Sequence, residues 1–119
     1  MTVRVTDLRN HSGKLILSVY RSADGFIGNP GKAVATQSKS IDADVMTFTL
    51  DLPPGAYAVC VLHDENANQK MDTNLIGIPK EGYGVTNNPK PRFRVAKFGE
   101  ARIALPAEGA AFDISLQYF

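Results

Sequence analysis

The chain has 119 residues, 44% of them hydrophobic and 21% charged, with a formal net charge of +1. That is the length of one domain, residues 1–119, large enough to bury a core without staples. The near-neutral total excludes strong steering towards nucleic acid or an anionic membrane, and no apolar run approaches the roughly 20 residues of a spanning helix.

Met1 leads straight into "TVRVT", an alternation that reads as a strand rather than a signal peptide. The expectation is either a cytoplasmic chain or one whose leader has been removed. Residues 3–8, "VRVTDL", set Val3 and Val5 against Arg4 and Thr6. In "KLILSVYRS", 14–22, Leu15, Leu17 and Val19 share one face, and Ile16, Ser18 and Tyr20 the other. A short helical piece is expected at 31–38, "GKAVATQS". Residues 45–52, "VMTFTLDL", alternate most cleanly, with Met46, Phe48, Leu50 and Leu52 inward. "AYAVCVLHD", 56–64, is apolar on both faces and reads as a central strand. It carries Cys60, which has no internal disulfide partner and reads as a buried, inert thiol. "ARIAL" at 101–105 and "AFDISLQYF" at 111–119 close the chain, with Phe112, Ile114, Leu116 and Tyr118 on one face.

Turn signals separate these runs: "NHSG", "DGFIGNPG", "DLPPGA" and "PAEGA". Short strands with Gly/Pro punctuation argue an all-β sandwich or barrel, and a seven-strand immunoglobulin-like sandwich fits the length. Residues 63–95 stand out as one connection of about thirty residues, far beyond ordinary loop lengths, so it must be ordered by something.

That connection opens with "HDENANQKMDTN", 63–74, where oxygen donors recur at every second position. Calcium takes six to eight oxygens, and the helix-flanked calcium loop draws them from positions 1, 3, 5, 7, 9 and 12. With Asp64 as position 1, Asn66, Asn68, Lys70 (through its carbonyl) and Asp72 fall in register. Position 6 is Gln69 instead of glycine, and position 12 is Leu75 instead of glutamate, so Glu81 is the candidate closing carboxylate and Glu65 a weaker one. So few carboxylates predict weak affinity, on the order of 10⁻⁴–10⁻³ M. The competing reading is an Asn/Asp-rich turn held by side-chain to backbone hydrogen bonds.

His63 and Asp64 point to opposite faces of a strand and cannot form a dyad with each other. His63 shares a face with Tyr57, Val59 and Val61, the place of a hydrogen-bonded histidine at the end of a sandwich. No serine sits in a Gly-x-Ser-x-Gly elbow. "GFIGNPGK", 25–32, is no phosphate loop, because Phe26 and Ala33 stand where glycine and Ser/Thr are required. "KPRFRVAK", 90–97, reads as a solvated edge rather than a nucleic-acid surface. "GIPKEGYG", 77–84, presents Tyr83 in a stiffened, glycine-punctuated segment packed over the calcium-like loop.

The block "LPPGAYAVCVLHDENANQKMDTNLIGIPKEGYGVTNN" resembles the bacterial family called domain of unknown function 2141. The match runs through Gly55, Tyr57, His63 to Asn66, Asp72 to Asn74, Glu81 to Gly84, and Asn87 and Asn88. Ala67 and Gln69 replace glycines of the pattern, and Thr86 replaces a serine. The resemblance implies an immunoglobulin- or transthyretin-like sandwich and export to the periplasm or cell exterior. The first expectation is therefore a non-enzymatic binding or structural module with a calcium-stabilised loop at 64–81 and a protein or surface partner. The alternative is a transthyretin-like small-ligand or hydrolytic enzyme using His63 with Asp64 or Glu65 near Tyr83.

Overall fold

The structure is a computed structural model that describes residues 1–65, 82–91 and 95–118. Its strands are β1 (Thr2–Thr6), β2 (Lys14–Tyr20), β3 (Ala35–Ser40), β4 (Met46–Thr49), β5 (Gly55–Asp64), β6 (Tyr83–Val85), β7 (Ile103–Leu105) and β8 (Ala111–Ser115). They form two sheets, one ordered β4-β1-β8 and the other β3-β2-β5-β6, with β7 added on β5. The protein is an all-β sandwich, as the alternation predicts.

The core lies between the sheets and is made by the inward positions. Val3 and Val5 of β1, Leu15, Leu17 and Val19 of β2, Met46 and Phe48 of β4, Tyr57, Val59 and Val61 of β5, and Ile114 of β8 are all buried. β1 takes β4 antiparallel on one side and β8 parallel on the other, so the first and last strands are neighbours. Across the sandwich β5 pairs with β2 over seven positions, from Lys14↔Asp64 to Tyr20↔Ala58. Just after the Pro-Pro-Gly turn the Tyr57 hydroxyl donates back to the Pro53 carbonyl at 2.6 Å, a tyrosine corner that fixes where β5 begins.

Three expectations need correction. Residues 31–38 are not a helix: a 3-10 turn spans Pro30–Lys32, and β3 begins at Ala35. The Lys, Ala and Gln of this stretch are good helix formers, but β2 offers it a ladder from Lys14↔Ser40 to Val19↔Ala35, and tertiary pairing overrides local propensity. The connection 63–95 is not one loop, because β5 runs to Asp64 and β6 interrupts it at Tyr83–Val85. The strand read from Ala101 starts at Ile103 instead, after a helical turn, α1 (Phe98–Ala101), preceded by Lys97, whose N–H is taken by the Glu100 carboxylate at 2.8 Å.

The outer face of the larger sheet is also covered. Tyr20, Ala58, Cys60, Tyr83 and Val85 are buried there with Ala96 and Ala101, and Phe26, Ile27, Val95 and Phe98 pack over them. Edge-on ring contacts link Tyr20 to Phe26 at 5.3 Å and Phe26 to Phe98 at 5.8 Å. This second layer explains why β5 is apolar on both faces. Burial there pushes the Cys60 thiol up to about 12, the inert thiol expected from its neighbours.

Candidate functional site

β5 and β6 are antiparallel neighbours, and the His63 N–H donates to the Gly82 carbonyl at 2.8 Å. Residues 66–81 therefore join two adjacent strands, and the described residues on either side form the root of that connection.

His63 sits at the centre of the root and is fully buried on the core face, opposite Leu15. Its Nε2 lies 2.8 Å from the Ser12 carbonyl and its Nδ1 2.6 Å from the Tyr118 hydroxyl. A carbonyl only accepts, so Nε2 is assigned the proton, and in the neutral ring Nδ1 accepts from Tyr118. The Tyr118 oxygen also accepts the Arg9 N–H at 3.1 Å, and the Arg9 guanidinium lies 4.5 Å from the centre of the Tyr118 ring. Arg9 then pairs with Glu65 through both carboxylate oxygens, and the Asn10 amide donates to Glu65 at 2.8 Å. The hydrogen bond from Arg9 holds the Glu65 carboxyl below its ordinary value, overcoming the desolvation that raises it. Burial pushes the Tyr118 hydroxyl up, which keeps on it the proton it shares with His63.

Two close backbone approaches seal this root. Gly13 has φ +69°, and a Cβ there would collide with the Asp64 carbonyl oxygen. Gly82 lies against the Tyr118 ring, with no room for a side chain. The turn "RNHSG" is shaped to complete the closure. In it the side-chain carbonyl oxygen of Asn10 accepts the Ser12 N–H at 3.0 Å, which aims the Ser12 carbonyl at His63.

Asp64 points to the other face of β5, opposite Lys14 in register, and is also fully buried. Tyr83 does not join His63. It pairs with Leu62, on the outer face of the sheet, and its hydroxyl accepts the Ala96 N–H at 3.1 Å. The structure thus brings His63, Asp64 and Glu65 to one strand end and separates Tyr83 from His63 by the thickness of the sheet. Asn66, Asn68, Lys70, Asp72 and Glu81 lie outside the described residues.

Sequence reasoning missed a second polar hub, residues 86–88. The Thr86 hydroxyl accepts the Val59 N–H at 3.2 Å and donates to the Ala101 carbonyl, tying β5 to α1. Asn87 and Asn88 have φ of +70° and +52°, a region that asparagine tolerates better than most residues. Asn87 donates to the carbonyls of Glu100 and Arg102. Asn88 donates to the Asp113 carbonyl at 3.1 Å and accepts the Ser115 N–H at 2.8 Å, so its amide extends the ladder of β8. The consecutive asparagines at 87 and 88 were the available signal. Arg9 and Tyr118 gave none, since they meet only through folding.

The family pattern described as "Uncharacterized protein conserved in bacteria (DUF2141)" matches residues 3–112. The chain belongs to that family. No curated protein and no solved structure matches it. Against this geometry, the DUF2141 block divides into positions with visible structural roles and positions in the 66–81 connection. Tyr57, His63, Gly82, Tyr83, Asn87 and Asn88 each hold a strand end, a turn or a layer in place.

Proposed function

We propose that this DUF2141 chain is a non-enzymatic, exported binding or structural module whose 66–81 connection is ordered by calcium and presented to a protein or surface partner. The observation that carries the reading is the locked root of that connection: both His63 nitrogens are engaged, with Tyr118 and Ser12. A histidine so committed has no free nitrogen to act as a base, and Tyr83 lies on the opposite face, which favours this reading over the hydrolytic one. The recurrence of oxygen donors at every second position from Asp64 to Asp72 supports the metal part. Asp64, Asn66, Asn68 and Asp72 would supply side-chain oxygens, Lys70 its carbonyl and Glu81 a carboxylate. The immunoglobulin-like form of the sandwich is supported by the Tyr57 corner. The transthyretin-like form and the export rest on the family resemblance.

Thermal melting in EDTA and in millimolar calcium tests the metal. Binding at 10–100 times Kd adds about 1–3 kcal/mol, so the melting temperature rises with calcium in the native chain and not in Asp72→Ala. An unchanged melting temperature, together with unchanged protease cleavage within 66–81, removes calcium from the proposal.

A further inference from the structure

β8 ends at Ser115, and the next three residues cross from one sheet to the other. Leu116 is buried in the core, and its N–H donates to the Thr6 carbonyl of β1 at 3.1 Å. Gln117 meets the larger sheet. The Tyr83 N–H donates to its carbonyl at 3.1 Å, and its own N–H donates to the Tyr83 carbonyl at 2.8 Å. Tyr118 then reaches the root of the 66–81 connection. Its hydroxyl lies between His63 Nδ1 and the Arg9 N–H, and its ring lies against Gly82.

We infer that Gln117 and Tyr118 form a strap, hinged at Leu116, that opens together with the root of the 66–81 connection while the rest of the sandwich stays folded. The strap is held more weakly than its surroundings. It meets β6 in one isolated bridge of two hydrogen bonds, whereas β1 and β8 pair over five positions and β2 and β5 over seven. Both its residues are half-buried, while Leu116 before them is 3% exposed. Segments with few bonds and partial burial open at a lower free energy than the whole fold. His63 links the strap to the root. Its ring is fully buried, and its Nδ1 takes the Tyr118 hydroxyl as donor. Lifting the strap leaves that buried acceptor without a partner, which is costly unless the end of β5 opens to water in the same event. The His63 N–H donates to the Gly82 carbonyl, so the approach to β6 follows. On the other side Arg9, bonded to the Tyr118 oxygen and to Glu65, carries the opening into the turn that holds Ser12 and Gly13. The strap thereby sets how readily the 66–81 connection is released.

Hydrogen exchange read residue by residue in EDTA tests the strap independently of calcium. The amides of His63, Tyr83 and Gln117 are expected to share one protection, lower than that of the β1–β8 ladder. Tyr118→Phe keeps the ring and removes the hydroxyl. It is expected to speed all three amides by a common factor of about ten or more, and to leave Leu116 and the β1–β8 ladder unchanged. Gln117→Pro, which removes the N–H given to Tyr83, is expected to speed His63 and Tyr83 in the same way from the other end of the strap. Trypsin cleavage after Lys70 and Lys80, both within the connection, is expected to quicken in each variant. Unequal protections at the three amides of the native chain overturn the inference, as do protections equal to that of the β1–β8 ladder. So does a Tyr118→Phe chain in which Gln117 alone quickens, in which the β1–β8 ladder quickens equally, or in which trypsin cleavage is unchanged.

Discussion

Gly13 decides whether the root of the 66–81 connection closes. Its φ of +69° and the Asp64 carbonyl packed on its Cα leave room for hydrogen alone. Gly13→Ala is expected to lower the unfolding free energy by roughly 2–4 kcal/mol, since it adds a backbone clash to a left-handed conformation; urea denaturation measures it. Glu65 makes the same root sensitive to acid. Its folded-state pKa lies below its ordinary value of 4.5. Its contribution to stability is therefore present above that value and lost as pH falls through the folded pKa. Denaturation midpoints between pH 6 and pH 3 are expected to fall more steeply for the native chain than for Glu65→Gln. His63 was legible in the sequence as a bonded core residue because the strand alternation alone places it beside Val59 and Val61. Its partners were not legible, because Ser12 and Tyr118 lie 51 and 55 positions away.

Among the elements, strands with a clean period of two were readable wherever one face meets the core. β4, with Met46 and Phe48 buried and Thr47 and Thr49 exposed, is the clearest case. β3 was misread because it is polar on both faces and its helix-forming residues carry no period that a core imposes. β6 has three residues, too few for any period, and is defined only by β5 beside it. The outer aromatic layer was hidden for a related reason: Phe26 lies in a turn and Phe98 in a single helical turn, and neither belongs to a pattern. That layer is thinner than the main core, and its outer members are only partly buried. Phe98→Ala is expected to cost less than the roughly 3–5 kcal/mol of a full core truncation. Hydrogen exchange should quicken at Ala96–Ala101 and stay slow in β1, which reads the outer layer separately from the main core.

For the molecule as a whole, the pairing of β1 with β8 is the decisive connection. The Arg4–Asp113 ion pair spans 109 positions, and it lies at the middle of a ladder that runs from Thr2↔Ala111 to Thr6↔Ser115. Contacts this distant in sequence slow folding, placing it in the millisecond-to-second range expected of non-local β topologies. A chain truncated before Ala111 loses β8 and Tyr118 together, and is expected to show no cooperative thermal transition by circular dichroism. The order of synthesis gives this pairing a further meaning. β1 leaves the ribosome before β8, so the small sheet stays open until β8 has been made. A nascent chain remains threadable for all of that time, and any prematurely terminated product displays an unpaired strand edge beside Val3 and Val5, the kind of surface that chaperones and proteases engage. The pairing of β8 with β1 is in effect a check, carried out by the fold itself, that the chain has been made as far as β8.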